Sequence, residues 1–459
     1  MNNPSDITDI IGEYAQAEPH HVHDAVTGAK YAQRLWAEST PQQRFDVLDA
    51  VGSEILARKE ELGRLLSREE GKTLPEGIAE VTRAGKIFKF FAGEALRLGG
   101  EHLASVRQGI TIDVMREPIG VVGLITPWNF PMAIPAWKVA PALAFGNAVV
   151  LQPAELAPAS AWTLADILSH SGLPKGVFNL VMGKGSVVGA ALAAHPDVAG
   201  VSFTGSVEVG RTLAPVLAKR LARVQLEMGG KNPLVVLDDA DLTVAVNAAV
   251  KGAYFSTGQR CTASSRLIVT EGIHDRFVAA MIERMKRLKV DDALAPGTDI
   301  GPVIDEAQLQ KDLSYFALAQ SEGGKLVFVG ERLSREKQGW YLAPALITET
   351  ANAMCFNCEE AFGPIAGVIR VKNYDEALAV ANDTEFGLCA GICTTSLKYA
   401  AHFERHAQAG MVMVNLPTAG VDYHAPFGGR KGSSYGTREQ GSYAKEFYTV
   451  VKTCYVAAG

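Results

Sequence analysis

The chain has 459 residues, 47% of them hydrophobic and 20% charged, enough for two to four domains of about 150 residues and too apolar for a disordered protein. Its 44 basic and 50 acidic residues leave a net charge of −6, and with no basic run this argues against nucleic acid or an anionic membrane as the main partner. Six cysteines are too few for a disulfide framework at this size. No window approaches the ~18 uninterrupted apolar residues of a membrane span, and the start, MNNPSDITDII, lacks the basic and apolar regions of a signal peptide. A reducing cytoplasm is the expected location.

Helices come first. Thr40 followed by Pro41 is an N-cap with proline at the first helical position, and Phe45, Leu48, Val51 and Ile55 follow at helical spacing. A charged helix runs through KEELGRLLSREE to Gly71, placed as a C-terminal stop. The segment ITIDVMRE (110–117) alternates with period two, as a half-exposed strand does. From 119 onward the apolar runs IGVVGLIT, NAVVLQ, FNLVM, GVSFTG and VQLEM alternate with helical segments. That β-α-β-α order predicts a parallel, doubly wound sheet with helices on both faces. A second series begins near SRLIVT (265–270) and continues through GVIRV, GLCAGICTT and GMVMVN, with the split near 228–234. The predicted fold class is therefore α/β, with two doubly wound domains, 1–97 with 119–228 and 229–440. The last stretch, EFYTVVKTCYVA, alternates again and fits neither series. Segments 98–118 and 441–459 are thus candidate strands of an oligomerisation arm, where a sheet edge must be covered.

Several residues carry chemistry. Cys261 stands in STGQRCTASSR among small residues that let a ligand approach the backbone, behind the plausible helix AVNAAVKGAYFS. A lone cysteine is more often inert core than a nucleophile. Cys355 and Cys358 form CFNC, but no second such pair or nearby histidine pair supports a metal site. Glu227 ends the run VQLE, where a carboxylate points into the crevice of a parallel sheet and burial would suit it as a general base. Pairing with Lys231 is the alternative. Asn129, in TPWNFP, can donate its amide to an oxyanion or simply bond its own turn. The turns GKGSVVG (183–189) and FTGSVEVG (203–210) match neither common nucleotide motif. Both nevertheless run from strand into helix, and two such turns in adjacent units point to a dinucleotide site.

Together these pieces resemble the aldehyde dehydrogenase superfamily from about residue 4 to the end. TPWNFP, FTGS, LEMGGKNP, GQRCT, EEAFGP and PFGGRKGSSYG occur in the family's order, as does the spacing from Glu227 to Cys261. The resemblance implies a cofactor domain, a catalytic domain and the strand arm. It implies Cys261 as nucleophile, Glu227 as general base, and Asn129 with the Cys261 backbone N–H as oxyanion donors. Lys138 and Glu439 fall on proposed proton-relay positions. Gln152 and Glu155 fall on adenosine-ribose contacts and Glu360 on the nicotinamide-ribose carboxylate. Trp128, Ser206, Phe362 and the turn Gly185–Gly189 fall on other cofactor contacts, with Ile125, Thr126, Pro127, Phe203, Thr204, Gly205, Met228 and Gly229 beside them. Because Gln152 replaces the family's usual lysine and Glu155 would repel a 2′-phosphate, NAD is expected to be preferred, with NADP possible. The chain also begins at the family's Asn-Pro segment, so the short extension common in relatives is expected to be either missing or mis-started.

The substrate end, WNFPMAIPAWK (128–138) and 415–441, is most similar to the α-ketoglutaric semialdehyde dehydrogenase branch. Trp137 stands where the commonest bacterial succinate semialdehyde enzymes carry arginine, against that assignment. By resemblance Phe130, Ile134, Trp137, Phe255, Arg260, Thr262 and the loop from Pro417 to Phe427 line the substrate tunnel. Arg260 is either the anchor for a substrate carboxylate or a structural arginine bonding loop carbonyls. The expected partner is a small aldehyde with a distal carboxylate, acted on by a homodimer or homotetramer. A cysteine hydrolase would need a histidine in a catalytic-looking segment, and none is seen. A dead scaffold would not need Cys261, Glu227 and Asn129 together, and a coenzyme-A-acylating relative would not need Glu227.

Overall fold

A computed structural model describes residues 1–328 and 330–457. Two parallel sheets form its centre. The first has six strands in the order Ser434–Tyr435, Arg223–Glu227, Val198–Thr204, Val121–Ile125, Ala148–Gln152 and Phe178–Leu180. All run parallel except the short Ser434–Tyr435, which pairs antiparallel with Arg223–Glu227. Val121–Ile125 and Ala148–Gln152 are buried at every position, as expected of strands covered by helices on both faces. The chain leaves Val121–Ile125 toward one side of the sheet and returns on the other at Val198–Thr204. The crevice therefore opens beyond Ile125 and Thr204.

The second sheet has seven strands, in the order Lys325–Phe328, Ala345–Thr348, Ile365–Val371, Ser264–Thr270, Asn232–Val236, Cys389–Cys393 and Met411–Val414. Its first strand in sequence is Asn232–Val236, so the second series begins earlier than the 265 expected from the apolar runs. Pro233 hides this strand, because proline within a run argues against a central position. Here it sits at a register shift between Asn232 and Pro233.

The N-terminal helices include Pro41–Ala57, Lys59–Glu70 and Leu74–Leu96. Thr40 accepts a hydrogen bond from the Gln43 N–H (3.2 Å), and Gln43 accepts one from the Thr40 N–H (2.8 Å), a reciprocal cap of the kind its sequence implies. Gly71 ends the next helix with φ 92°. A third sheet pairs Thr449–Ala457 with Ile110–Pro118 over nine positions and adds Glu101–Ala104 on the other side. Segment 441–459 is described as far as 457; Ala458 and Gly459 lie outside the described residues.

Candidate active site

Residues 228–231 join the last residue of Arg223–Glu227 to the first of Asn232–Val236. The carboxyl ends of one sheet thus face the amino ends of the other, and the candidate residues gather in the gap.

Cys261 follows a turn built against backbone preference. Ser256, Thr257 and Gly258 have φ of 51°, 55° and 67°, left-handed values that cost on the order of 1 kcal/mol or more at each non-glycine. The surroundings hold the turn. Glu76 accepts hydrogen bonds from the Ser256 N–H (2.8 Å) and hydroxyl (3.0 Å), and the Thr257 hydroxyl donates to the Gly301 carbonyl (3.2 Å). A Cβ at Gly258 would stand 2.1 Å from the Gly363 carbonyl oxygen. Asn232 donates to the carbonyls of Cys261 (2.7 Å) and Ala263 (2.9 Å) and accepts from the Cys389 N–H (2.9 Å). Burial, then the charges of Glu360, Glu227 and Glu439, push the Cys261 thiol up to about 12, while its own backbone N–H, bonded to the sulfur, pulls the other way.

Asn129 is buried, with one amide hydrogen given to the Gln259 carbonyl at 2.9 Å. Its own carbonyl accepts from Lys72 (2.7 Å), which pairs with Glu80 (2.7 Å). The other oxygen of Glu80 accepts the Met132 and Ala133 N–H groups at 2.9 and 3.0 Å. The second amide hydrogen of Asn129 is therefore held on a turn braced from both ends.

Glu227 is buried, accepting from the Ser434 hydroxyl at 2.6 Å. Its pKa lies well above the carboxylate range, first through burial and then through Glu439, against the pull of Ser434, Lys138 and Arg438. Among the described residues no ion pair joins it to Lys231. That ammonium is buried without a hydrogen-bond partner, lies 4.9 Å from the Phe356 ring centroid, and is lowered to about 7 by burial. Lys138 is fully buried and donates to Ser202 (2.7 Å) and to Glu439, whose other oxygen has no partner.

A cavity of about 200 Å³ is walled by Pro127, Trp128, Asn129, Ile134, Thr204, Gly205, Ser206, Met228, Gly229, Cys261, Glu360 and Phe362, with Gln308 and Lys311. It is small beside the roughly 300–1,000 Å³ of a complete small-molecule site. Trp128 and Phe362 meet edge to face, centroids 5.5 Å apart. Glu360 accepts the Gly230 N–H at 2.9 Å, and burial pushes it up to about 7. A Cβ on Gly229 would stand 2.1 Å from its carboxylate. Ser206 caps the helix Val207–Lys219.

Gln152, Glu155, Gly185 and Gly189 lie farther along the first sheet's crevice, outside this cavity. Glu155 accepts the Gly185 N–H at 2.9 Å. Gln152 donates to the Pro153 carbonyl at 2.9 Å and leaves its own Oε1 buried without a donor, 3.2 Å from where a Cβ on Gly189 would sit. Ile125 and Phe203 are buried in the hydrophobic core of this sheet.

On the aldehyde side Trp137 and Phe427 pack with centroids 5.5 Å apart, and Phe427 joins an apolar cluster that touches Cys261. Phe130 lies under the Lys72 ammonium, 4.0 Å to the ring centroid. Phe255 is half-buried at the end of helix Leu242–Tyr254, and the Thr262 carbonyl accepts from Thr418 at 2.6 Å. Arg260 departs from its expected role as carboxylate anchor. Its Nη2 donates to the Lys251 and Gly252 carbonyls at the end of that helix, while Nε is buried without a partner. This is the structural arrangement set against the anchoring one above. Cys355 and Cys358 are exposed on a four-residue helix, and among the described residues no cluster of three or more His, Cys, Asp or Glu could hold a metal ion.

Motif reading missed Lys72, Glu76, Glu80, Arg83, Asn232, Ser434 and Gln440. The T-x-x-E capping pattern at Thr73–Glu76 would have marked the helix that carries Glu76, Glu80 and Arg83.

The sequence pattern of the aldehyde dehydrogenase family matches residues 1–454. The chain is 42% identical to the α-ketoglutaric semialdehyde dehydrogenase of Bacillus subtilis, covering 99% of this chain and 94% of that one. It is 39% identical to the 2,5-dioxopentanoate dehydrogenase of Saccharolobus solfataricus, covering 99% and 95%. Among solved structures, betaine aldehyde dehydrogenase from Staphylococcus aureus in complex with NAD+ superposes with a TM-score of 0.97 at 34% identity, covering 100% of this chain and 91% of that one.

Proposed function

The chain belongs to the aldehyde dehydrogenase family, and from that premise we propose that it oxidises α-ketoglutaric semialdehyde to the dicarboxylate, with NAD preferred and NADP possible. The observation that carries this reading is that Cys261 shares one cavity with Asn129 and Glu360 where the two sheets meet. The relatives from Bacillus and Saccharolobus are named for this aldehyde, 2,5-dioxopentanoate being its systematic name. The Staphylococcus structure is named for betaine aldehyde, a cation.

The residues present suit NAD. Gln152 Oε1 and the Thr126 and Thr204 hydroxyls are buried without partners along the crevice, an amide acceptor and two groups that both donate and accept, suited to the hydroxyls and amide of a dinucleotide. Glu360, whose carboxylate fills the space that Gly229 leaves free of a side chain, would hold ribose hydroxyls. When bound, NAD supplies the hydride acceptor and a positive charge beside the thiol.

Cys261 releases its proton to solvent under the positive charge that bound NAD would bring, its sulfur adds to the aldehyde carbon, and the oxyanion accepts hydrogen bonds from the free Asn129 hydrogen and the Cys261 N–H. After oxidation a thioester remains. Glu227 then takes a proton from the water that attacks it, a task for which a raised pKa suits a carboxylate. Lys138 and Glu439, buried behind Glu227, receive and pass on that proton. The strand arm joins subunits of a homodimer or homotetramer; its exposed Val451, Tyr455 and Val456 suit a covered face. No helix among the described residues is long and apolar enough to cross a membrane, and free thiols at all six cysteines suit a reducing cytoplasm.

The test is a panel of aldehydes with NAD and with NADP, read by reduced-cofactor absorbance. α-Ketoglutaric semialdehyde is expected to give the highest kcat/KM, with succinic and glutaric semialdehyde next. Equal rates with neutral aldehydes would make the protein a broad-range enzyme instead.

A further inference from the structure

One corner of the aldehyde side holds hydrogen-bond donors with nothing to bond. Arg83, on helix Leu74–Leu96, donates from Nη2 to Gln440 Oε1 at 3.0 Å, and its guanidinium carbon lies 5.7 Å from the Trp137 ring centroid. Three atoms of this trio are buried without a partner: Arg83 Nε, Trp137 Nε1 and Gln440 Nε2. Gln440 is fully buried and Trp137 nearly so. Buried donors in a native structure are almost always satisfied, so three together mark a place where an acceptor belongs.

The charge points the same way. Among the described residues Arg83 makes no ion pair. Glu80 is spent on Lys72 and on the Met132 and Ala133 amides, while Asp422 lies on an exposed part of the tunnel loop. Burial lowers the guanidinium from its ordinary pKa, opposed by Glu80, Asp422 and the Cys261 thiolate charge. Trp137 links the two, since its other neighbour, Phe427, belongs to the cluster touching Cys261. A carboxylate carries two oxygens and about four acceptor sites, matching the spare N–H groups of a guanidinium, an indole and an amide.

We propose that Arg83, Trp137 and Gln440 form the pocket that receives the distal carboxylate of the aldehyde substrate. This rests on the semialdehyde reading above and moves the anchor from Arg260 to a helix far upstream in the sequence. A neutral aldehyde leaves the trio unpaired, and a cationic one is repelled by it.

The experiment compares kcat/KM for succinic semialdehyde and for butanal, which has the same carbon count, with NAD in wild type, Arg83→Met and Gln440→Leu. Burst amplitude with butanal counts the folded sites in each variant. The acid-to-neutral ratio is expected to fall about 100-fold in Arg83→Met, as for loss of a buried charge partner, and about tenfold in Gln440→Leu, mostly through KM. If the wild type favours the acid and Arg83→Met keeps the wild-type ratio, the pocket is overturned while the semialdehyde reading stands. If the wild type shows no preference for the acid, the semialdehyde reading itself fails and the pocket with it.

Discussion

The two mouths of the site leave opposite kinds of atom unpaired. Toward the cofactor crevice the unpartnered buried atoms are oxygens: Gln152 Oε1, Thr126 Oγ1 and Thr204 Oγ1. Toward the aldehyde tunnel they are nitrogens on Arg83, Trp137 and Gln440. One mouth holds an amide acceptor and two hydroxyls that both donate and accept, as sugar hydroxyls and amides require; the other holds donors only, as an anion requires. Left unpaired, each would cost about 1–3 kcal/mol by mutational estimates, a cost that water or a ligand of matching polarity removes. The pattern of unsatisfied groups thus describes two ligands that share one reaction centre.

Cys261 stands where the mouths meet, so its loss gives the largest effect and separates chemistry from binding. Cys261→Ser should lower aldehyde oxidation by roughly 10³-fold or more while NAD still quenches intrinsic fluorescence at nearly the wild-type concentration. Turnover near normal would mean that the two mouths serve a different nucleophile.

Glu227→Gln should keep the pre-steady-state burst of reduced cofactor and slow the steady state by about 10²–10⁴-fold, the usual worth of a general base. The base acts only when deprotonated, and its pKa lies well above the carboxylate range. The wild-type steady-state rate should therefore still be climbing with pH beyond the point where an ordinary carboxylate has finished titrating. The glutamine variant should lose that climb; if the climb survives, another group is the base.

The donor-seeking mouth is tested by changing its polarity. Gln152→Lys replaces an orphaned acceptor by a cation and should improve kcat/KM for NADP by the ~1–3 kcal/mol of a charge-assisted hydrogen bond, with no shift in aldehyde preference. A shift in aldehyde preference would show that the two mouths are not independent. The smallest effect belongs to a control outside both: Thr40→Ala removes a helix cap and should lower unfolding stability by about 1 kcal/mol, leaving cofactor and aldehyde KM in place.

Much of the fold was legible because parallel strands buried on both faces read as short, mostly apolar runs, such as those ending at Ile125, Gln152 and Thr204. Asn232–Val236 escaped because Pro233 breaks that pattern. Cys261, Glu227 and Asn129 stood out because each sits in a run of small, proline or glycine residues that only a ligand-facing turn needs. Arg83 gave no such signal. It lies among the charged positions of GIAEVTRAGKIFKFF, where an arginine reads as part of a solvated helix face, and its burial depends on a partner from the far end of the chain. Arg260 could not be decided for the opposite reason: adjacency to the nucleophile in sequence says nothing of which way a long side chain turns, and its Nη2 bonds the Lys251 and Gly252 carbonyls.

The late segments of the chain complete early ones. Ser434 steadies Glu227, Gln440 meets Arg83, and Thr449–Ala457 closes on Ile110–Pro118. A nascent chain on the ribosome therefore has its nucleophile long before it has a working site, and it carries an uncapped strand edge until residues 449–457 emerge. Contacts of such long range form slowly, and an unpaired edge invites aggregation. Misassembly is therefore a hazard of synthesis more than of the folded enzyme's life.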